Sequence, residues 1–169
     1  MRIFTFIFFA LMLSFGCLDV CGQKACSIKK YISPDGSLYY FVPYDTIYYT
    51  HENRLMAAII TDKENYFLSL VPYPKPADLG KKKDYQDLKL TLVNQAEINV
   101  KFFDTRFPND STWAVTYLLD KKMIDTLKNN QIQSLYFKTP FQDKQFRLKF
   151  HRDLVREHLA CLKTLESAQ

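Results

Sequence analysis

Residues 88–103, LKLTLVNQAEINVKFF, constrain the fold of this chain more than any other stretch. The even-numbered positions are apolar apart from Asn94, and the odd-numbered positions are mostly polar. A period of two is typical of a β-sheet that has one face on a core and the other face in water. A helix would place Leu88 and Leu92 roughly opposite Leu90, which would leave no polar side. The stretch therefore predicts β structure.

The length of this run favours a hairpin, because a strand usually has about 5–6 residues. A two-residue turn at Asn94 and Gln95 would mix the apolar and polar faces. An odd-length turn centred on Gln95 keeps the apolar face whole. That register predicts three cross-strand pairs: Leu92 with Ile98, Leu90 with Val100, and Leu88 with Phe102. One long bent strand is the alternative.

The N-terminal residues have the pattern of an export signal. Met1 and Arg2 precede an apolar run from Ile3 to Gly16, which is short for a membrane span of about 20 residues. We expect residues 1–22 to be a signal peptide and residues 23–169 to be a single domain with no transmembrane segment. The mature protein would be periplasmic or secreted. A retained N-terminal anchor and lipoprotein processing at Cys17 are the alternatives.

Cleavage after Gly22 would leave two cysteines, Cys26 and Cys161. An even number of cysteines in an oxidising compartment favours a disulfide, so we predict that these two are paired. Lipidation of Cys17 would instead leave three other cysteines, one of them unpaired. Two unrelated buried thiols are the remaining possibility, because spacing alone does not establish proximity.

The sequence patterns of the rest of the chain mainly predict further strands. Residues 23–36 are predicted to be an irregular lead-in that ends in a turn at 33–36. Residues 72–87 contain three prolines and three consecutive lysines and predict an exposed loop. The predicted strands cover 37–50 (two short strands, or one edge strand broken at Pro43), 55–61, 66–71, 113–117, 132–138 and 146–151.

Two helices complete the predicted fold. Asp120 can cap a helix over about 120–130, and Asp153 can cap a second helix over 153–166. The second helix carries a broad apolar stripe, so it should pack on the apolar face of the sheet. The fold class predicted is α+β: an antiparallel β-meander with both helices packed on one face.

An aromatic-rich stretch offers one candidate binding surface. Six aromatic residues lie between positions 39 and 49. We predict that Tyr39, Tyr40 and Tyr48 form a surface for a glycan or a peptide, because tyrosine combines a flat apolar face with a polar tip. Tyrosine is also common in half-buried strands, which is the structural alternative.

Motifs for common chemistries are missing from the sequence. The three histidines, His51, His151 and His158, form no HExxH or similar zinc pattern, so we predict no metal or cofactor and assign His151 and His158 to the surface or to helix packing. No GxSxG or phosphate-binding glycine loop occurs. The net charge of +5 is spread too evenly to indicate nucleic-acid binding.

The C-terminal half resembles uncharacterised small exported or envelope proteins of Bacteroidota. The resemblance rests on a helix that ends in Leu127 and Lys128 and runs into an I-x-x-L-x-F strand at 132–137, followed by a terminal helix with Cys-Leu-Lys at 161–163. It implies an exported compartment and this type of fold, and it implies no activity.

The function predicted from the sequence is that of an exported, non-enzymatic binding or structural accessory protein of the cell envelope, with an unidentified protein or glycan partner. The alternative is a small secreted enzyme or enzyme inhibitor that works from the 72–87 loop.

Overall fold

The computed structural model describes residues 26–33, 35–75, 85–109, 112–138 and 143–167. The predicted signal peptide and Cys17 lie outside these residues. The described part contains a ten-stranded sheet and two helices, which confirms the α+β class. The elements are β1 Lys29–Ile32, β2 Leu38–Phe41, β3 Asp45–Tyr49, β4 Arg54–Thr61, β5 Tyr66–Tyr73, β6 Leu88–Leu92, β7 Glu97–Asn109, β8 Thr112–Leu119, α1 Lys121–Asn129, β9 Ile132–Lys138, β10 Asp143–Arg147 and α2 Leu154–Ser167.

All strand pairs are antiparallel, as predicted, but the order is not that of a simple meander. The sheet runs β1-β2-β4-β5-β8-β7-β6-β9-β10, with β3 beside β4. The three strands β6 to β8 are inserted in reverse order, so β5 pairs with β8 and β6 pairs with β9. The long strand β7 allows this, because its first half pairs with β6 and its second half with β8.

The hairpin predicted over residues 88–103 is present, in a register shifted by two residues. Leu90 pairs with Ile98 and Leu88 with Val100, around a loop in which the Leu92 N–H donates to the Ala96 carbonyl. Gln95 takes the left-handed conformation, with φ of 69°. Three-residue hairpin loops commonly end in such a residue. Because a shift of two preserves which side chains share a face, the apolar face stays buried.

Most other predicted strands are confirmed, and three segments differ. The predicted irregular lead-in, residues 23–36, contains the strand β1. The last strand covers 143–147 instead of 146–151. It ends before 151 because the chain turns at His151, where φ is 53°, just before α2. The described ends of the 72–87 segment include the exposed residues Tyr73, Pro74, Gln86 and Asp87, but two other residues differ from the predicted exposed loop. Pro72 belongs to β5, and Tyr85 is buried with its ring stacked 5.2 Å from that of Phe102. Residues 76–84 lie outside the described residues.

One core cluster collects apolar side chains from strands β2 to β10 and from both helices. The even-numbered residues Leu88, Leu90 and Leu92 belong to it together with Leu127 of α1 and Leu159 of α2. Helix α1 packs against α2, and α2 contacts β4. The packing of both helices on a single sheet face stays a prediction.

Each helix begins after the aspartate named from the sequence. The Met123 N–H donates to the Asp120 carboxylate at 2.7 Å, which confirms Asp120 as the N-cap of α1. The Asp153 carboxylate has other partners than the backbone of its helix. It accepts a hydrogen bond from the Gln131 side chain at 2.9 Å and forms an ion pair with Arg156 at 2.8 Å.

Cys26 and Cys161 lie at disulfide distance, with Cα atoms 5.5 Å apart. The predicted pairing is therefore confirmed. The bond joins the residues that lead into β1 to the middle of α2, across a sequence separation of 135 residues.

Removing this disulfide should lower the free energy of unfolding by about 4–5 kcal/mol, because the bond closes a very long loop in the unfolded chain. Urea unfolding of the double variant Cys26→Ser/Cys161→Ser and of the reduced wild type should give the same loss. The variant itself should be insensitive to reductant. Equal stability of oxidised and reduced wild-type protein would contradict the assignment.

His158 completes the hydrogen bonding of β4 where its neighbouring strands are interrupted. Strands β2 and β3 pair with β4 on the same edge and are separated by a break around Pro43. At this break the Ile59 N–H donates to His158 Nδ1 at 3.4 Å, while His158 Nε2 lies 3.7 Å from the Asp45 carboxylate. His158 is only 4% exposed, which confirms the helix-packing role predicted for it.

Replacing His158 with Leu should destabilise the protein by about 1–3 kcal/mol, because the buried Ile59 N–H would lose its acceptor. The matched control is His51→Leu at an exposed position, which should change stability by less than about 0.5 kcal/mol. Both effects are measurable by urea denaturation. A loss of the same size in both variants would refute this role of His158.

Candidate binding groove

A cavity of about 580 Å³ lies on the sheet face opposite the core cluster. Successive residues of a strand point to opposite faces. Tyr40 therefore belongs to the core, while its neighbours Tyr39 and Phe41 line the cavity. In β4, likewise, Ile59 belongs to the core and Ile60 lines the cavity. We call this cavity the groove, and its lining residues are Lys30, Tyr31, Ser33, Asp35, Tyr39, Phe41, Tyr44, Ile60, Thr105 and Arg106.

Coiling of the sheet brings the two walls of the groove together. Arg106 is on β7 and Tyr39 is on β2, and three strands separate them in the sheet. In a flat sheet these two strands would be about 19 Å apart. Instead the Arg106 guanidinium carbon lies 4.8 Å from the centre of the Tyr39 ring, in a cation–π arrangement. The site therefore depends on the curvature of the whole sheet.

Small side chains between the walls leave room for Tyr44. Ala58, Ser69 and Thr116 follow one another across β4, β5 and β8, and all three are buried. The Tyr44 hydroxyl lies 2.8 Å from the Ser69 hydroxyl. Burial raises the pKa of Tyr44, and the Ser69 hydrogen bond and the charge of Arg106 oppose that rise. Tyr44 is thus a neutral hydroxyl at ordinary pH, and its contact with Ser69 ties the break between β2 and β3 to the sheet.

Three charged residues that line the groove, Lys30, Asp35 and Arg106, differ in their contacts with the rest of the protein. The Asp35 carboxylate accepts from the Ser33 hydroxyl and from the Ser37 N–H, and the Ser33 bond is the first cause of the lowered pKa of Asp35. The Lys30 ammonium lies over the Tyr40 ring, 5.8 Å from its centre, on the far side of the strand. Arg106 has no hydrogen bond or ion pair with any residue in the described ranges.

The structure does not bring the three predicted tyrosines together on one surface. Tyr39 lines the groove, but Tyr40 is only 8% exposed and belongs to the core. Tyr48 is half-buried and packs edge-to-face on Phe146, with ring centres 5.0 Å apart. Adjacent residues of a strand cannot share a face, so the sequence alone argued against grouping Tyr39 with Tyr40.

Of the ten described residues that line the groove, the sequence interpretation named only Tyr39 and missed the other nine, among them Phe41, Tyr44, Ile60 and Arg106. Alternation along β2 would have placed Phe41 on the same face as Tyr39. No local pattern indicates Arg106, because its contact with Tyr39 arises from the coiling of the sheet. Tyr44 lies just after Pro43, at a break whose geometry the sequence does not specify.

The three histidines do not contribute to the groove. None of them is among its lining residues, and His51 and His151 are exposed. Within the described ranges no cluster of histidine, cysteine and acidic side chains could hold a metal ion. Neither of the two described helices combines the length and the apolar character needed to cross a membrane.

Comparison with protein-family models, with curated proteins and with solved structures finds no match to this chain.

Proposed function

We propose that this protein is an exported, non-enzymatic binding protein of the cell envelope and that the groove holds part of its partner. The observation that carries the proposal is an open cavity of about 580 Å³ lined by several aromatic rings and by Arg106, which has no ion pair among the described residues. Cavities of this size with apolar walls and few polar groups are typical ligand sites. The partner is a protein or a glycan that inserts one ring-shaped group.

Export is supported by the N-terminal sequence and by the pairing of Cys26 with Cys161. Disulfides persist in oxidising compartments, and this one stabilises the part of the chain that leads into a groove wall. The proposal retains cleavage after Gly22, and the resemblance to Bacteroidota envelope proteins supports the same compartment.

The helices have a structural part in this proposal. Both contribute to the core cluster, and we place both of them on the core face, as predicted from the sequence. The opposite face then remains open to the partner. A secreted enzyme or an inhibitor is the alternative, and it would require a histidine, an acid and a hydroxyl in one accessible site.

Binding in the groove can be tested by NMR with ¹⁵N-labelled protein and a library of short peptides and oligosaccharides. We expect at least one class of compound to shift amide signals of residues that line the groove. Tyr39→Ala should weaken that binding about tenfold or more, because it removes the ring beside Arg106. The matched control is Tyr49→Ala on β3, where the side chain is 64% exposed and outside the groove lining. A library in which no compound perturbs the groove would refute the binding role.

Export can be tested by intact-mass spectrometry of the protein purified from its native envelope. The expected mass is that of a chain beginning at Gln23 and lacking two hydrogens because of the disulfide. Reduction should restore those two hydrogens. A diacylglycerol mass on Cys17, or an uncleaved N-terminus, would contradict the proposed processing.

A further inference from the structure

Arg106 is a charged residue of the groove whose guanidinium makes no hydrogen bond or ion pair with the residues that the structure describes. Its guanidinium is half-buried between the groove walls, in contact with the Tyr39 ring at 4.8 Å. The cation keeps five N–H donors in a planar fork, and no described residue accepts from them. A partly desolvated cation gains most from an anion that can accept two parallel hydrogen bonds, such as a carboxylate.

The surroundings of Arg106 favour a single negative charge attached to a ring. The Asp35 carboxylate, hydrogen-bonded within its own turn, keeps its negative charge, and the Lys30 ammonium lies on the opposite side of β1. Among its described residues the groove therefore offers one cation, and Asp35 opposes a second negative charge on the ligand. A phosphate dianion would leave a charge uncompensated. The rings of Tyr31, Tyr39 and Phe41 line the same cavity and can stack on an aromatic group.

The position of β1 favours a peptide over a free small acid. Among the described strands, β1 is the terminal strand of the sheet and has β2 as its one strand partner. Lys30 and Tyr31 of β1 also line the groove. An edge strand presents unpaired N–H and C=O groups, which an extended chain can pair with by adding one more strand. A peptide that ends in the groove therefore has a backbone partner directly outside it.

We propose that the groove binds the C-terminal aromatic residue of a partner protein, with the terminal carboxylate on Arg106, the ring against Tyr39, and the preceding residues along β1. This inference rests on the binding role proposed above and names the group that enters the groove. No covalent step is involved. Affinity comes from the charge-assisted hydrogen bonds, from burial of the ring, and from main-chain pairing.

The test uses isothermal titration calorimetry with the full chain and three probe peptides of sequence Gly-Ser-Gly-Ser-Gly-Xaa, each N-acetylated. The first ends in Phe with a free carboxylate, the second ends in Phe amide, and the third ends in Ala with a free carboxylate. We expect the first to bind most tightly. The amide should bind about tenfold to hundredfold more weakly, because a hydrogen bond to a charged group contributes about 1.5–3 kcal/mol.

Variants of the protein separate the role of Arg106 from a general effect of charge. Arg106→Gln should abolish the difference between the acid and the amide. Arg106→Lys should retain part of that difference, since lysine supplies charge without the planar fork. The matched control is Arg147→Gln at an exposed position of β10, which should leave all affinities unchanged. Amide spectra of each variant establish that it is folded.

Three results would overturn the inference. Equal binding of acid and amide would refute the carboxylate, and equal binding of the Phe and Ala peptides would refute the ring. Binding of free N-acetylphenylalanine as tight as that of the hexapeptide would refute the protein terminus. Each of these leaves the binding role of the groove intact if other compounds still perturb it, so failure of the inference is distinguishable from failure of the proposed function.

Discussion

The structure depends on burial of both faces of the strands β4, β5 and β8. Alternate residues of these strands face a large core on one side and, on the other, the sheet face that carries the groove. The core side carries large apolar residues such as Leu68 and Tyr117, whereas one row on the opposite side consists of the small residues Ala58, Ser69 and Thr116. This difference in side-chain size lets Tyr44 lie close to the sheet. Tyr39 and Arg106 contact each other on the same face of the sheet.

Two links hold the edge of the sheet in place. The disulfide ties Cys26, just before β1, to α2, and His158 of α2 accepts the Ile59 N–H at the break between β2 and β3. Both links therefore connect the terminal helix to the strands that form one wall of the groove. A site built on an edge strand needs such support, because an edge strand has hydrogen-bonded neighbours on one side only. The rigidity of the groove thus depends on residues that are distant from it in the sequence.

Strand β7 connects the two halves of the sheet. Its first half pairs with β6 beside the core, and its second half pairs with β8 and carries Arg106. A register shift between Phe102 and Asp104 lies near the start of the half that pairs with β8. Such bulges bend a strand and re-aim its side chains. At this bulge Phe103 lies 41% exposed and its ring centre is 4.8 Å from that of Phe67 on the groove side.

The class of the fold, most of the elements and the disulfide were predictable from the amino-acid sequence. Alternation over 88–103, the apolar runs at 55–61 and 66–71, the cap at Asp120 and the even number of cysteines are local or pairwise signals, and each has a direct physical explanation. The strand order, the two-residue shift of the hairpin and the location of the groove became evident from the three-dimensional structure. The strand order depends on which sheet faces are buried by other elements. The register of the hairpin depends on Gln95 in the left-handed conformation, which no residue preference indicates. The contact between Arg106 and Tyr39 arises from the coiling of many strands, so no short segment of the sequence encodes it.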